Sequence, residues 1–266
     1  MREFFDVTLL AILQGVAEFL PISSSGHLVI GQHLLGMGSP SMRLNVFLHM
    51  GTLVAIFAYY RARMGALLAG LLGLRGDPMQ RRSAWGYVGK IVLSAIPAIL
   101  VYFPLRHPID ALFENARMVG ALLMFTGAVL AGTRFLPRGN NAVCWRRAFF
   151  MGCGQAVALL PGVSRSGMTL ASARTERVDP AAAAEFSFLM STPLIAGAAV
   201  LELLDSLAAT DAAGEVGWGL VCYGAAVAAV VGYFSLAGLV RMLKGRFFWL
   251  FGPYCFIVGL LTLCFC

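Results

Sequence analysis

Continuous apolar runs of membrane-crossing length dominate this chain and leave few folds open to it. "VFLHMGTLVAIFAYY" (46–60), "VGALLMFTGAVLAG" (119–132) and "LVCYGAAVAAVVGYFSLAGLV" (220–240) are apolar throughout rather than alternating. A helix needs about 20 such residues to cross ~30 Å of hydrocarbon, whereas a transmembrane β-barrel strand alternates apolar with polar residues. Of the 266 residues 59% are hydrophobic and only 12% charged. The mean hydropathy of +0.80 lies outside the range of soluble domains. The fold class read here is an all-α polytopic membrane protein, with residues 1–266 forming a single membrane domain.

The net charge of +7 would point to a nucleic-acid partner in a soluble protein. Here the Lys and Arg residues sit in short loops between apolar runs, so they report topology and no nucleic acid is expected. The first residues carry no cleavage site after a clean apolar core, so no cleaved signal peptide is read. Six cysteines (144, 153, 222, 255, 264 and 266) are scattered through apolar segments without metal-ligand spacing and read as small hydrophobic filler.

Loop charge orders the crossings. Arg61, Arg63, Arg75, Arg81, Arg82 and Lys90 stand against Asp77 alone, which places that loop in the cytoplasm. Arg134, Arg138, Arg146 and Arg147 mark the cytoplasm again, as do Arg241, Lys244 and Arg246. The stretch 202–215 carries Glu202, Asp205, Asp211 and Glu215 without Lys or Arg and goes outside. Crossings fall at about 46–60, 86–105, 118–134, 186–203, 217–240 and 247–265, with a mixed-charge outer loop holding Arg106, Asp110, Glu114 and Arg117. Segments 4–35 and 148–174 must each enter and leave on one side. The expectation is six transmembrane helices plus two re-entrant helical hairpins.

Those two segments resemble each other. "FLPISSSGHL" (19–28) aligns with "LLPGVSRSGMT" (159–169), proline on proline, with one extra residue in the second copy. "FLHMGTLVA" (47–55) follows "FLMSTPLIA" (188–196), and "GALLMFTG" (120–127) follows "GPYCFIVG" (252–259). One hairpin plus three crossings per half, with three being odd, turns the second half upside down. The halves, about 1–134 and 148–266, form an inverted-topology repeat whose interrupted helices meet inside the membrane.

The hairpin tips carry the polar chemistry. Gln14 and Glu18 share a helix face that ends at Pro21, and a carboxylate at membrane depth calls for a partner or a function. Arg165 is the obvious partner if that role is structural. Ser23, Ser24 and Ser25 can cap the following helix, but capping consumes only one or two hydroxyls. Gly26 permits close approach, and His27 adds an imidazole for acid/base work. At the second tip Gly162, Ser164, Ser166, Gly167 and Thr169 surround Arg165 at a helix start, an arrangement suited to phosphoryl oxygens. Glu18 and Gln14 offer oxygens to a divalent cation, Mg²⁺ or Ca²⁺. Within the spans His49, paired with Met190 in the repeat, reads as core or cavity lining, Glu185 as an interfacial end residue, and Asn45 as ambiguous between the two.

At "LQGVAEFLPISSSGHL", "LLPGVSRSGMT" and "EFSFLMSTP" the chain resembles the undecaprenyl-diphosphatase family of the bacitracin-resistance type, bacterial enzymes that recycle the lipid carrier of cell-wall synthesis. The resemblance implies hydrolysis of undecaprenyl diphosphate to the monophosphate and inorganic phosphate, a divalent cation, and often a homodimer. It also implies residence in the bacterial inner membrane with the site facing the periplasm. The family's acidic motif falls on Gln14 and Glu18, and glutamine at its first position removes one charge from the presumed cation site. The same transfer implies Ser24 as nucleophile or its neighbour, His27 as acid/base, Arg165 as phosphate clamp, and Ser164, Ser166 and Thr169 as further phosphate contacts. Serine, histidine and water are all competent attackers. A transporter or flippase of a lipid-linked anion is the alternative that inverted repeats with broken helices also accommodate.

Overall fold

The computed structural model describes residues 1–36, 42–74, 77–113, 115–208, 216–243, 245 and 247–265, without the side chains of 42, 198 and 201–208. Arg75, Glu114, Asp211, Glu215, Lys244, Arg246 and Cys266, and the side chains of Glu202 and Asp205, therefore lie outside the described residues. The described chain is helical, with a single isolated bridge between Asn141 and Val178 in place of any strand. In order, the helices are α1 (Arg2–Ala17), α2 (Ser24–Leu34), α3 (Met42–Tyr59), α4 (Arg61–Leu71), α5 (Pro78–Phe113) and α6 (Ala116–Gly132). They continue as α7 (Trp145–Val157), α8 (Arg165–Thr175), α9 (Pro180–Ala208), α10 (Trp218–Leu243) and α11 (Phe251–Phe265).

Among the described residues four segments are long and apolar enough to cross a membrane: Pro78–Phe113, Ala116–Phe135, Trp218–Leu243 and Phe248–Phe265. Their outer faces carry large apolar side chains, among them Leu100, Phe103 and Phe234, each more than two thirds exposed. In water such faces would be unstable, and in lipid they are the solvated surface. Arg43–Tyr59 is a shorter apolar helix. The expected outer loop at 106–117 is instead helical as far as Phe113: α5 runs 36 residues, about 54 Å, through Pro97, Pro104 and Pro108. Proline is tolerated in such helices because neighbouring groups resatisfy the carbonyls it frees.

Both hairpin segments fold as helix, tight turn, helix: α1 with α2, and α7 with α8. α1 packs along α10 and α7 along α5, α6 lies against α11, and α3 against both α9 and α10. Glycines let α6 and α11 touch backbone to backbone. A Cβ on Gly120 would stand 2.8 Å from the Gly259 carbonyl, and one on Gly127 2.7 Å from the Gly252 carbonyl. The central core gathers Phe19, Phe186, Phe188, Leu123, Leu130 and Leu236 around the tips, with Phe19 edge-on to Phe188 at 5.5 Å. A second cluster, Val7, Leu10, Leu44, Leu48 and Val221, closes the α1–α3–α10 side. Between α4, α5 and α9 Arg63 binds Glu185 at 2.8 Å and Tyr87 donates to the same oxygen at 3.1 Å, so Glu185 is a tie between helices.

Candidate active site

The same four-residue device, Ser-x-Ser-Gly, begins α2 and α8. Ser23 accepts the Gly26 amide through Oγ at 3.3 Å, and Ser164 accepts the Gly167 amide at 3.1 Å. Each capping hydroxyl also meets the second serine of its motif: Ser23 with Ser25 at 3.4 Å, Ser164 with Ser166 at 3.3 Å. The two caps are reached by different backbones. In the second tip the inserted Gly162 takes the left-handed conformation (φ +85°), which costs glycine little. The first tip lacks that residue, and Ser23 itself adopts φ +70°, a strained value for a side chain with a Cβ.

The tips interlock. Gly26 lies against Gly162, where an added Cβ would stand 3.0 Å from its Cα. Ser166 Oγ donates to the Leu20 carbonyl at 3.2 Å. Thr126 on α6 fastens the second tip by donating to the Gly162 carbonyl at 2.9 Å and accepting the Ser164 amide at 3.2 Å. Two helix N-termini thus meet at one place, and their leading amides, which have no intrahelical acceptor, add two positive dipole ends.

Glu18 stands at that meeting point and is 6% exposed. Ser24 and Arg165, the matching residues after the two capping serines, both reach it. Ser24 Oγ donates to Oε2 at 2.6 Å, the short distance of a charge-assisted bond, and Arg165 Nη2 donates to Oε1. Gln14 Nε2 donates to Oε2 at 3.2 Å, which leaves Gln14 Oε1 a buried acceptor with no partner among the described residues. Arg165 Nη1 is likewise buried and unpartnered among them. His49 Nε2 lies 3.9 Å from Glu18 Oε2. No group of three His, Cys, Asp or Glu side chains fit to hold a metal occurs among the described residues.

The structure therefore brings Gln14, Glu18, Ser24 and Arg165 together, and it spends the other expected residues differently. Ser23 and Ser164 cap, and Ser166 ties the tips. Thr169 is fully buried and turns to Ser187 of α9 at 2.6 Å. Ser25 is half-buried at the tip. His27 is close in sequence but has both ring nitrogens occupied, Nδ1 by the Ser23 carbonyl at 2.9 Å and Nε2 by the Tyr254 hydroxyl at 2.9 Å. Its ring is stacked nearly parallel to Tyr254, 7° between planes. Since a carbonyl only accepts, Nδ1 carries the proton, and neutral Nε2 accepts from Tyr254. His49, read as core or cavity lining, lies beside Glu18, and Tyr254, which sequence reading did not name, meets the first tip through His27. The signal for His49 was an ionisable side chain inside a span, which is a functional hypothesis by default. Tyr254 gave none, because aromatic residues are ordinary in apolar helices.

Comparison with known proteins gives a family-wide match. The family model described as "Bacitracin resistance protein BacA" matches residues 7–261. A protein of Desulfosudis oleivorans named undecaprenyl-diphosphatase is 40% identical over 268 residues, covering 96% of this chain and 95% of that one. Proteins of the same name from Acidiphilium cryptum (40% identical, 96% and 95% covered) and Desulforapulum autotrophicum (36% identical, 98% of each) are similar along their whole length.

Proposed function

The chain belongs to the bacitracin resistance protein BacA family, and from that premise we propose a reading of its chemistry residue by residue. It is an undecaprenyl-diphosphatase, an enzyme that hydrolyses undecaprenyl diphosphate to undecaprenyl phosphate and inorganic phosphate. The observation that carries the site assignment is the convergence of Ser24 and Arg165, one from each tip, on the buried carboxylate of Glu18.

Without substrate, Arg165 and Glu18 neutralise each other. The diphosphate competes for Arg165, whose unpartnered Nη1 is ready for a second phosphoryl oxygen, and the amides at the starts of α2 and α8 take further oxygens. Glu18, released from the guanidinium, accepts the proton of Ser24. The Ser24 oxygen attacks the terminal phosphorus, and the bridging P–O bond breaks with its electron pair leaving on the lipid monophosphate. Water then cleaves the phosphoseryl ester to inorganic phosphate and restores Ser24. Positioning and charge stabilisation supply most of the rate. His27, held by Ser23 and Tyr254, fixes the first tip so that Ser24 stays aimed.

A divalent cation, Mg²⁺ or Ca²⁺, fits the donor set: the orphaned Gln14 Oε1 and the Glu18 carboxylate would hold it. When bound it supplies Lewis-acid neutralisation of phosphoryl charge. Two side chains are few donors, so such an ion would also draw on substrate oxygens and water.

The architecture we infer is six crossings with the two hairpins re-entrant. The repeat is supported by the crossing of α6 on α11. Gly120 aligns with Gly252 and Gly127 with Gly259, yet Gly120 meets Gly259 and Gly127 meets Gly252. That exchange is what a two-fold axis between equivalent helices produces. The pairing of α1 with α10 and of α7 with α5 repeats it. With the basic loops in the cytoplasm, the substrate phosphates enter from the periplasmic side of the inner membrane, the polyprenyl tail stays in lipid, and the chain assembles as a homodimer. The test is product identity in detergent micelles, where no leaflets exist: hydrolysis yields lipid monophosphate and phosphate in equal amounts, whereas a translocating protein leaves the diphosphate intact.

A further inference from the structure

The assignment of Gln14 and Glu18 leaves His49 without a task, although it stands beside them. Its Nδ1 lies 2.8 Å from the Asn45 carbonyl one turn earlier on α3. That oxygen can only accept, so Nδ1 donates to it and Nε2 is the ring atom left to face the site. Asn45 is itself held, its Oδ1 accepting from Gln32 Nε2 of α2 at 2.9 Å. An imidazole whose far N–H is fixed on a backbone carbonyl, itself on a braced residue, is the arrangement that orients metal-ligating histidines.

Nε2 faces Glu18 Oε2 at 3.9 Å. This is too long for a hydrogen bond but suits two donors bound about 2.1 Å from one ion at a wide angle. Resting on the cation site proposed above, we infer that His49 Nε2 is a nitrogen ligand of that cation, alongside Gln14 Oε1 and Glu18. The donor set is then mixed nitrogen and oxygen. Ca²⁺ and Mg²⁺ take oxygen, and an imidazole among the donors shifts preference toward first-row transition ions; Mn²⁺, the most oxygen-preferring of that series, serves as the paramagnetic probe. The imidazole makes up for the donor strength lost with a neutral glutamine at position 14.

The experiment is Mn²⁺ titration of chelator-stripped protein in detergent, without substrate, followed by electron paramagnetic resonance and electron spin echo modulation. The expected result is a bound Mn²⁺ with nitrogen-14 modulation of an imidazole. His49→Gln loses the modulation and weakens binding by about tenfold or more, while His27→Gln keeps both. Thermal unfolding of each variant shows that it is folded. Mn²⁺ bound without nitrogen coupling, coupling that survives in His49→Gln, or no Mn²⁺ binding by the wild type each overturns the inference. The readout does not use turnover, so failure of the phosphatase mechanism leaves this result standing, and Mn²⁺ bound without nitrogen coupling removes His49 alone.

Discussion

Replacing Arg165 by alanine separates the stability of the centre from its chemistry. The guanidinium and the Glu18 carboxylate are 17% and 5% exposed, so truncation strands a carboxylate that water barely reaches. Removing one partner of a buried pair costs about 3–5 kcal/mol. Glu18 keeps its bonds from Gln14 and Ser24, so the lower end, about 3 kcal/mol, applies. For a chain of this size that is a fall of about 6–12 °C in the unfolding midpoint. Adding Glu18→Gln removes the stranded charge and keeps a group able to bond Gln14 and Ser24. The double variant therefore recovers most of the loss, to within about 1 kcal/mol of wild type. Activity does not recover: Arg165→Ala and the double variant each lose at least about 100-fold in phosphate release. The assay pairs thermal unfolding in detergent by tryptophan fluorescence with phosphate release from undecaprenyl diphosphate. A double variant no more stable than Arg165→Ala would refute the ion-pair reasoning.

Three further outcomes are expected. Rapid quench of enzyme with substrate labelled in its terminal phosphate traps acid-stable phosphoserine on Ser24, absent in Ser24→Ala; a wild type with no labelled protein after either acid or alkaline quench, the latter preserving phosphohistidine, would assign the attack to water. Tyr254→Phe keeps the stacked ring but removes the donor to His27 Nε2, costing about 1 kcal/mol of stability and, through a looser Ser24, about tenfold in kcat with KM little changed; an unaltered kcat contradicts the positioning role of His27. Gly259→Val, whose Cβ would lie 2.5 Å from the Gly120 carbonyl, destabilises by about 1–3 kcal/mol, whereas Gly197→Ala, with nothing within 4 Å among the described residues, does not destabilise in the same unfolding assay.

Much of the centre was legible because its parts are local. A serine three residues before a glycine caps a helix wherever it stands, so both tips could be read, and aligning them placed Ser24 opposite Arg165 before any coordinates. Glu18 was conspicuous because a carboxylate in an apolar run is costly. What escaped was long-range. Nothing near His27 in sequence says that its ring will stack on Tyr254, 227 residues away, rather than face Glu18. Nothing near His49 says that α3 brings it to the end of α1. The outer loop began too early for a simpler reason: the mixed charges from Arg106 onward read as a loop, and α5 continues through Arg106 and Asp110 to Phe113.

The most direct test of the central claim is phosphate release from undecaprenyl diphosphate by purified wild type and by Glu18→Gln, each shown to be folded, with Mg²⁺ or Ca²⁺ and with chelator. Cation-dependent release by the wild type that falls at least about 100-fold in Glu18→Gln is the predicted result. Release by folded Glu18→Gln at the wild-type rate would contradict an active centre built where the two tips meet.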